Sequence, residues 1–147
     1  MLQNSKYFSV KEFTHSDTAV KRGINNLPNA EHLEQNIQKS AEKLDKIREY
    51  LGFPLVVSSW FRCDELNKAV GGSASSDHRN GFAIDVTSRK QDAFALAASI
   101  VEACEKLGIT YDQVIFEQTW VHVSFAPRNR LQKLTYRQGV YRQGFQR

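Results

Sequence analysis

The sequence predicts an α+β fold: a small, mainly antiparallel sheet flanked by helices. Three observations predict it. Two long segments, 30–51 and 89–107, carry apolar residues three or four apart, the period of a helix with one buried face. Short β-prone runs at 55–57, 82–87, 114–116 and 121–125 lie between and after them. Two of the connections between these runs are too short to hold a crossover helix, so neighbouring strands run antiparallel.

The elements follow in order. Ser9 and Glu12 have capping-box spacing and open a short helix carrying Phe13. Asp17 or Thr18 caps a second turn that ends at Gly23, and Asn25, Asn26 and Pro28 mark a loop. Leu33, Ile37, Ala41, Leu44, Ile47 and Leu51 form one stripe of a helix from Ala30 to Leu51, with Asn29 as N-cap and Gly52 as stop. Leu55, Val56 and Val57 start a strand, and Asp64 to Val70 form a short helix. Gly71 to Ser76 is a loop. Phe82 to Thr87 is a strand that alternates Phe82, Ile84 and Val86 against Ala83, Asp85 and Thr87. Ser88 with Gln91 is a second capping box, opening an alanine-rich helix from Arg89 to Leu107 that Gly108 ends. Only Glu117 to Trp120 separates the last two strands, which predicts a hairpin.

A chain of 147 residues is the size of one domain, and one of this length buries about 70% of its unfolded surface. With 41% hydrophobic and 24% charged residues, disorder, collagen and coiled coil are disfavoured. No stretch of about 18 apolar residues predicts a membrane span. Cys63 and Cys104 cannot form a disulfide framework and read as isolated thiols. The net charge of +4 is uneven: residues 127–147 hold Arg128, Arg130, Lys133, Arg137, Arg142 and Arg147 and no acid. The remaining 14 basic residues face 16 acidic ones. The expected division is therefore a domain over 1–126 and a basic tail over 127–147. Such a tail suits contact with an anionic surface. Tyr136-Arg137-Gln138-Gly139 and Tyr141-Arg142-Gln143-Gly144 repeat within it. The near-neutral body offers no matching groove, so no nucleic-acid partner is expected. The opening residues lack the pattern of a signal peptide, which predicts synthesis in the cytoplasm.

Of four histidines, His15 and His32 have no ligand set nearby. His78 and His122 differ. His122 and Ser124 alternate with Val121, Val123 and Phe125, and Asp85 points opposite Ile84 and Val86. Polar groups on one face of a sheet need a reason to be there. Zinc is one reason, since imidazole and carboxylate are ordinary zinc ligands and three of them leave a fourth position open. Ordinary polar interactions are the other. Glu117, at the end of a strand before the hairpin turn, is placed to act as a base.

The residues 76–85, Ser-Asp-His-Arg-Asn-Gly-Phe-Ala-Ile-Asp, match S-x-H-x-x-G-x-A-x-D, and Trp120-Val121-His122 matches W-x-H. These segments resemble the zinc D-Ala-D-Ala carboxypeptidase family (peptidase M15) of the hedgehog/DD-peptidase zinc superfamily. Ser59-Trp60-Phe61-Arg62 is similar to the segment that sets an arginine beside the family's site. Residues 8–28 resemble the opening of small phage and prophage members. The resemblance covers most of 7–126.

The resemblance implies a hedgehog/DD-peptidase-like fold, with His78, Asp85 and His122 as Zn2+ ligands and Arg62 as binder of a substrate carboxylate or carbonyl oxygen. It also implies cleavage of peptidoglycan stem peptides, as a D-Ala-D-Ala carboxypeptidase or an L-Ala-D-amino acid endopeptidase of endolysin type. A monomer reaching the wall through a separate, holin-type pore is expected. The alternative is a non-catalytic zinc-binding structural or wall-binding module of a phage or prophage. One departure stands out. The family's catalytic acid sits three residues before the last histidine, where this chain has Thr119. Glu117 is the assigned base and Asp112 the runner-up.

Overall fold

The computed structural model describes residues 1–147. The stripe of residues 33–51 forms α3 (Glu31–Leu51), whose Ile37, Ala41, Leu44 and Ile47 are fully buried. Ala30, not Asn29, is its N-cap, and no side chain caps it. The alanine-rich segment forms α5 (Ala93–Leu107). It begins four residues later than its period suggests, because Asp92 accepts the Ala95 N–H at 2.8 Å while Ser88 turns back to Lys90. Both helices end on left-handed glycines, Gly52 and Gly108. The Ser9/Glu12 capping box opens α1 (Val10–Thr14), and Ser16 caps α2 (Asp17–Arg22). Helix α4 (Asp64–Ala69) is capped by the Cys63 sulfur.

Six strands form one sheet in the order β1-β2-β4-β3-β5-β6: β1 (Val56–Ser59), β2 (Ala83–Thr87), β3 (Gln113–Phe116), β4 (Val121–Ser124), β5 (Gln132–Arg137) and β6 (Val140–Gln143). Every pairing is antiparallel except β3 with β5. Alternation splits the sheet into two faces. Ile84, Val86, Val121, Val123, Val114 and Phe116 belong to the buried core beside the apolar stripes of α3 and α5, with Phe94 edge-on to Phe116 at 5.4 Å. The opposite face carries Asp85, His122, Ile115 and Glu117 and lines an open cleft.

The predicted boundary at 126 is corrected here. Residues 127–147 are not a tail outside the domain: β5 adds to β3 and β6 to β5. Leu134 and Thr135 are buried, and Phe145 packs on the core. Unpaired backbone groups along β3 would otherwise be an open edge, and β5 satisfies them. No helix is long and apolar enough to cross a membrane.

Candidate metal centre

Three pieces of backbone bring the site together. Asp85 on β2 and His122 on β4 are direct antiparallel partners, and partners on one face stand roughly 5 Å apart. His78 comes from a 3₁₀ turn (Asp77–Asn80) that leads into β2. Ser76 accepts the His78 N–H, while Asn36 and Ser40 of α3 bind the carbonyls of Asn80 and Gly81. Gly81 is required twice over. Its φ is +80°, and a Cβ would sit 2.7 Å from Ile37 Cγ1. The glycine of the motif lets the ligand turn lie against α3.

The ligand atoms of His78, Asp85 and His122 all lie within 4.8 Å of one another. Asp85 Oδ1 is 3.3 Å from His78 Nε2 and 3.0 Å from His122 Nδ1. The edges of a tetrahedron with zinc–ligand arms of 2.0–2.2 Å are about 3.3–3.6 Å; the His78–Asp85 spacing matches such an edge, and the His122–Asp85 spacing is a few tenths of an ångström shorter. Proton positions strengthen the fit. His78 Nδ1 is 2.7 Å from the Trp60 carbonyl oxygen. A carbonyl only accepts, so Nδ1 holds the proton and Nε2 presents a lone pair. Burial lowers the His78 pKa against the pull of Asp85, which keeps the ring neutral. A lone pair on nitrogen therefore faces a carboxylate oxygen with no proton between them, an arrangement that a cation relieves. Burial would raise Asp85, but His78 and His122 together outweigh it and hold the carboxylate ionised. Burial would lower His122, but its hydrogen bond to Asp85 and the charges of Asp85 and Glu117 raise it.

Arg62 reaches the site from beyond β1. The register shifts between Val57 and Ser59, a bulge that pairs Ser59 with Asp85 and re-aims the chain after it. The Arg62 guanidinium donates to Ser59 Oγ and Asn67 Oδ1 and lies 3.8 Å from Asp85 Oδ2. Its backbone N–H binds the His78 carbonyl at 3.1 Å. The N-terminal helices buttress this segment. Asn26 donates to the carbonyls of Thr14 and Phe61 and accepts the Cys63 N–H, while Phe8 and Phe13 pack edge-on against Trp60. The short helices thus hold the carbonyl that orients His78.

Glu117 lines the same cleft, in a tight turn where Gln118 has φ +70°. Trp120 Nε1 donates to Glu117 Oε2 at 2.9 Å. Burial and the Asp85 charge raise the Glu117 pKa, with His122, Trp120 and Arg62 opposing. A carboxyl poised in this way, at the mouth of a metal centre, suits proton transfer. Asp112 is not free for that work. It is fully buried, and Arg128 and Arg130 engage both of its oxygens. Cys63 is spent on capping α4 and does not line the cleft.

Sequence reasoning missed one network. Ser124 Oγ donates to Asp77 Oδ2 at 2.7 Å, and the Arg128 guanidinium bridges Asp77 to Asp112. Asp77 precedes one histidine ligand and Ser124 follows the other by two. Arg128 therefore ties the two ligand-bearing segments to the start of β3. An arginine after Pro127 in a basic run gave no sign of this partner set. Asp77 and Asp112 prove to be buried, which the sequence alone does not show.

Two imidazoles and one carboxylate converging in a cleft, with a carboxyl beside them and a fourth side open, define a metal-dependent hydrolase. Residues 6–124 match the peptidase M15 family, and the chain belongs to it. No curated protein matches the chain.

Proposed function

We propose that the protein is a zinc peptidase that cleaves peptidoglycan stem peptides, at a D-Ala-D-Ala or an L-Ala-D-amino acid bond, as an endolysin-type enzyme. The observation that carries this reading is the convergence of His78, Asp85 and His122 in an open cleft of a peptidase M15 chain. Two imidazole nitrogens and one carboxylate suit zinc better than the hard cations that prefer all-oxygen sites. When bound, the ion supplies a Lewis acid for the scissile carbonyl and acidifies a water.

The chain's own groups do the rest in this reading. Glu117 accepts the proton of the attacking water and returns it to the leaving amine, with the Trp120 indole N–H fixing which carboxylate oxygen faces the cleft. Arg62 holds the substrate carboxylate or carbonyl oxygen. Its guanidinium is pinned by Ser59 and Asn67, so it costs little ordering when substrate arrives. Gly72 protects that arrangement, because a Cβ there would collide with the Asn67 side chain and press on Arg62. Cys63 caps α4 and does not line the cleft, and direct attack by water forms no acyl-enzyme, so no burst phase is expected. A monomer is the proposed working state. Arg137 and Arg142 on the outer strands supply contact with an anionic wall.

The test is digestion of purified peptidoglycan and a synthetic stem pentapeptide by zinc-loaded protein, with products identified by mass. Cleavage that a chelator stops and zinc restores is the expected result. Stoichiometric zinc without any cleavage would overturn the enzyme and leave a non-catalytic zinc-binding module.

A further inference from the structure

The Tyr-Arg-Gln-Gly repeat has a structural meaning. Its first copy ends β5 and its second forms most of β6. Gln138 and Gly139, which end the first copy and join β5 to β6, have φ of 49° and 80°, a two-residue turn with both centres left-handed. That turn sets the register in which Tyr136 pairs directly with Tyr141. Their rings stand 4.9 Å apart at 53°. Both line the same cleft as His78, Asp85, His122 and Glu117, on the side away from Arg62 and the Gly71–Ser76 loop. Tyr141 is 58% exposed, an aromatic side chain facing solvent beside a catalytic centre. Burial and the Glu117 charge both push its phenol pKa up.

The hairpin is also fastened to the turn that carries the base. Gln118 Nε2 donates to the Tyr136 carbonyl at 2.9 Å, and Gln118 Oε1 accepts from the Arg137 guanidinium. The pair is thus a fixed wall and not a free end. From β4, which bears His122, to β6 is three strand spacings, about 14 Å. That is the reach of about four extended residues. A stem peptide held at the metal is long enough to extend over the pair. Ile115, on β3, the first of the two intervening strands, gives the floor between them an apolar surface.

Resting on the peptidase reading above, the geometry points to the Tyr136–Tyr141 pair as a subsite for the stem-peptide residues remote from the cleaved bond, on the side opposite Arg62. The C-terminal hairpin, outside the matched residues 6–124, then decides how strongly the enzyme prefers a long peptide to a short one.

The experiment compares kcat/KM for the full stem pentapeptide with that for the shortest peptide spanning the bond that is cut. In Tyr141→Ala the ratio of the two falls about tenfold, chiefly through KM for the long substrate, about 1.4 kcal/mol. Tyr141→Phe keeps most of the ratio, because the ring face makes the contact. Calorimetric binding of the pentapeptide to metal-free protein weakens in parallel in Tyr141→Ala. A ratio within twofold of wild type overturns the subsite. If wild type cleaves neither peptide, the peptidase reading has failed. Calorimetry then decides alone, and equal binding to wild type and Tyr141→Ala overturns the subsite.

Discussion

Replacing Glu117 with glutamine removes a proton acceptor and leaves the shape of the site alone. Two opposed effects set its cost to folding. The bond from Trp120 Nε1 to Glu117 Oε2, 2.9 Å long, passes from a charged to a neutral acceptor, a loss of about 1 kcal/mol. Against this, burial and the neighbouring Asp85 charge already disfavour the ionised carboxylate, and the neutral amide escapes both. Stability therefore stays within about 1 kcal/mol of wild type. Zinc content stays the same, since none of the three ligands moves. Turnover loses the contribution of general acid–base catalysis, roughly 10²–10⁴-fold, or about 2.7–5.5 kcal/mol of barrier. Three measurements on one preparation suffice: bound zinc per chain, thermal midpoint and pentapeptide hydrolysis. Turnover within about threefold of wild type, with zinc in place, would refute Glu117 as the base.

Two further outcomes follow from the supports of the site. Asn26→Ala removes three hydrogen bonds, one to Thr14 of α1 and two to the Phe61–Cys63 segment, at a cost of about 2–3 kcal/mol in a denaturant titration; loss below about 0.5 kcal/mol would show that the buttress is idle. Burial would raise Asp112, but Arg130 and Arg128 hold it at about 2, below the ordinary 3.8. A depressed carboxylate stabilises the fold above its unfolded pKa, so this contribution is complete above about pH 4 and disappears as pH falls to about 2. Its two partners are nearly half exposed, and solvent screening reduces it to about 1–2 kcal/mol. Asp112→Asn is expected to lack that slope in stability between pH 4 and 2, and an unchanged slope would contradict the assignment.

The parts of the molecule readable in advance are those where apolar period and chemistry coincide. The α3 stripe, the alternation in β2 and β4, and the placing of Asp85 opposite Ile84 and Val86 all follow from residues that must be buried. The start of α5 was misplaced because Ser88 and Asp92 are both competent caps, and only the tertiary position of the chain selects Asp92. β5 and β6 escaped notice for a different reason. Gln132–Arg137 buries only Leu134 and Thr135, and Val140–Gln143 buries nothing. Strands this exposed, β6 at the sheet edge and β5 beside it, carry no apolar alternation to read. The signal that did exist was local, the Gln138-Gly139 pair that ends the first copy of Tyr-Arg-Gln-Gly. Arg62 was legible only through family resemblance, because a bulge rather than strand alternation aims it at the site.

The register of β2, β4 and β3 is where folding and chemistry meet. Asp85 faces its neighbours on the metal side only because Ile84 and Val86 face the helices, and His122 only because Val121 and Val123 do. A slip of one residue would turn each strand over, placing a carboxylate and an imidazole in the core and valines in the cleft. Six apolar side chains on that inner face, Ile84, Val86, Val114, Phe116, Val121 and Val123, are buried. At about 1.5–3 kcal/mol each, their burial outweighs the repulsions and desolvation that the metal-side groups accumulate before an ion arrives. The ligands themselves cannot enforce their geometry, since without the cation His78 and Asp85 present lone pairs to each other. The apolar side chains on the far side of the sheet keep Asp85 and His122 facing the cleft whether or not an ion is bound. Substitutions on the apolar face are therefore expected to reach the metal centre through register, without touching a ligand.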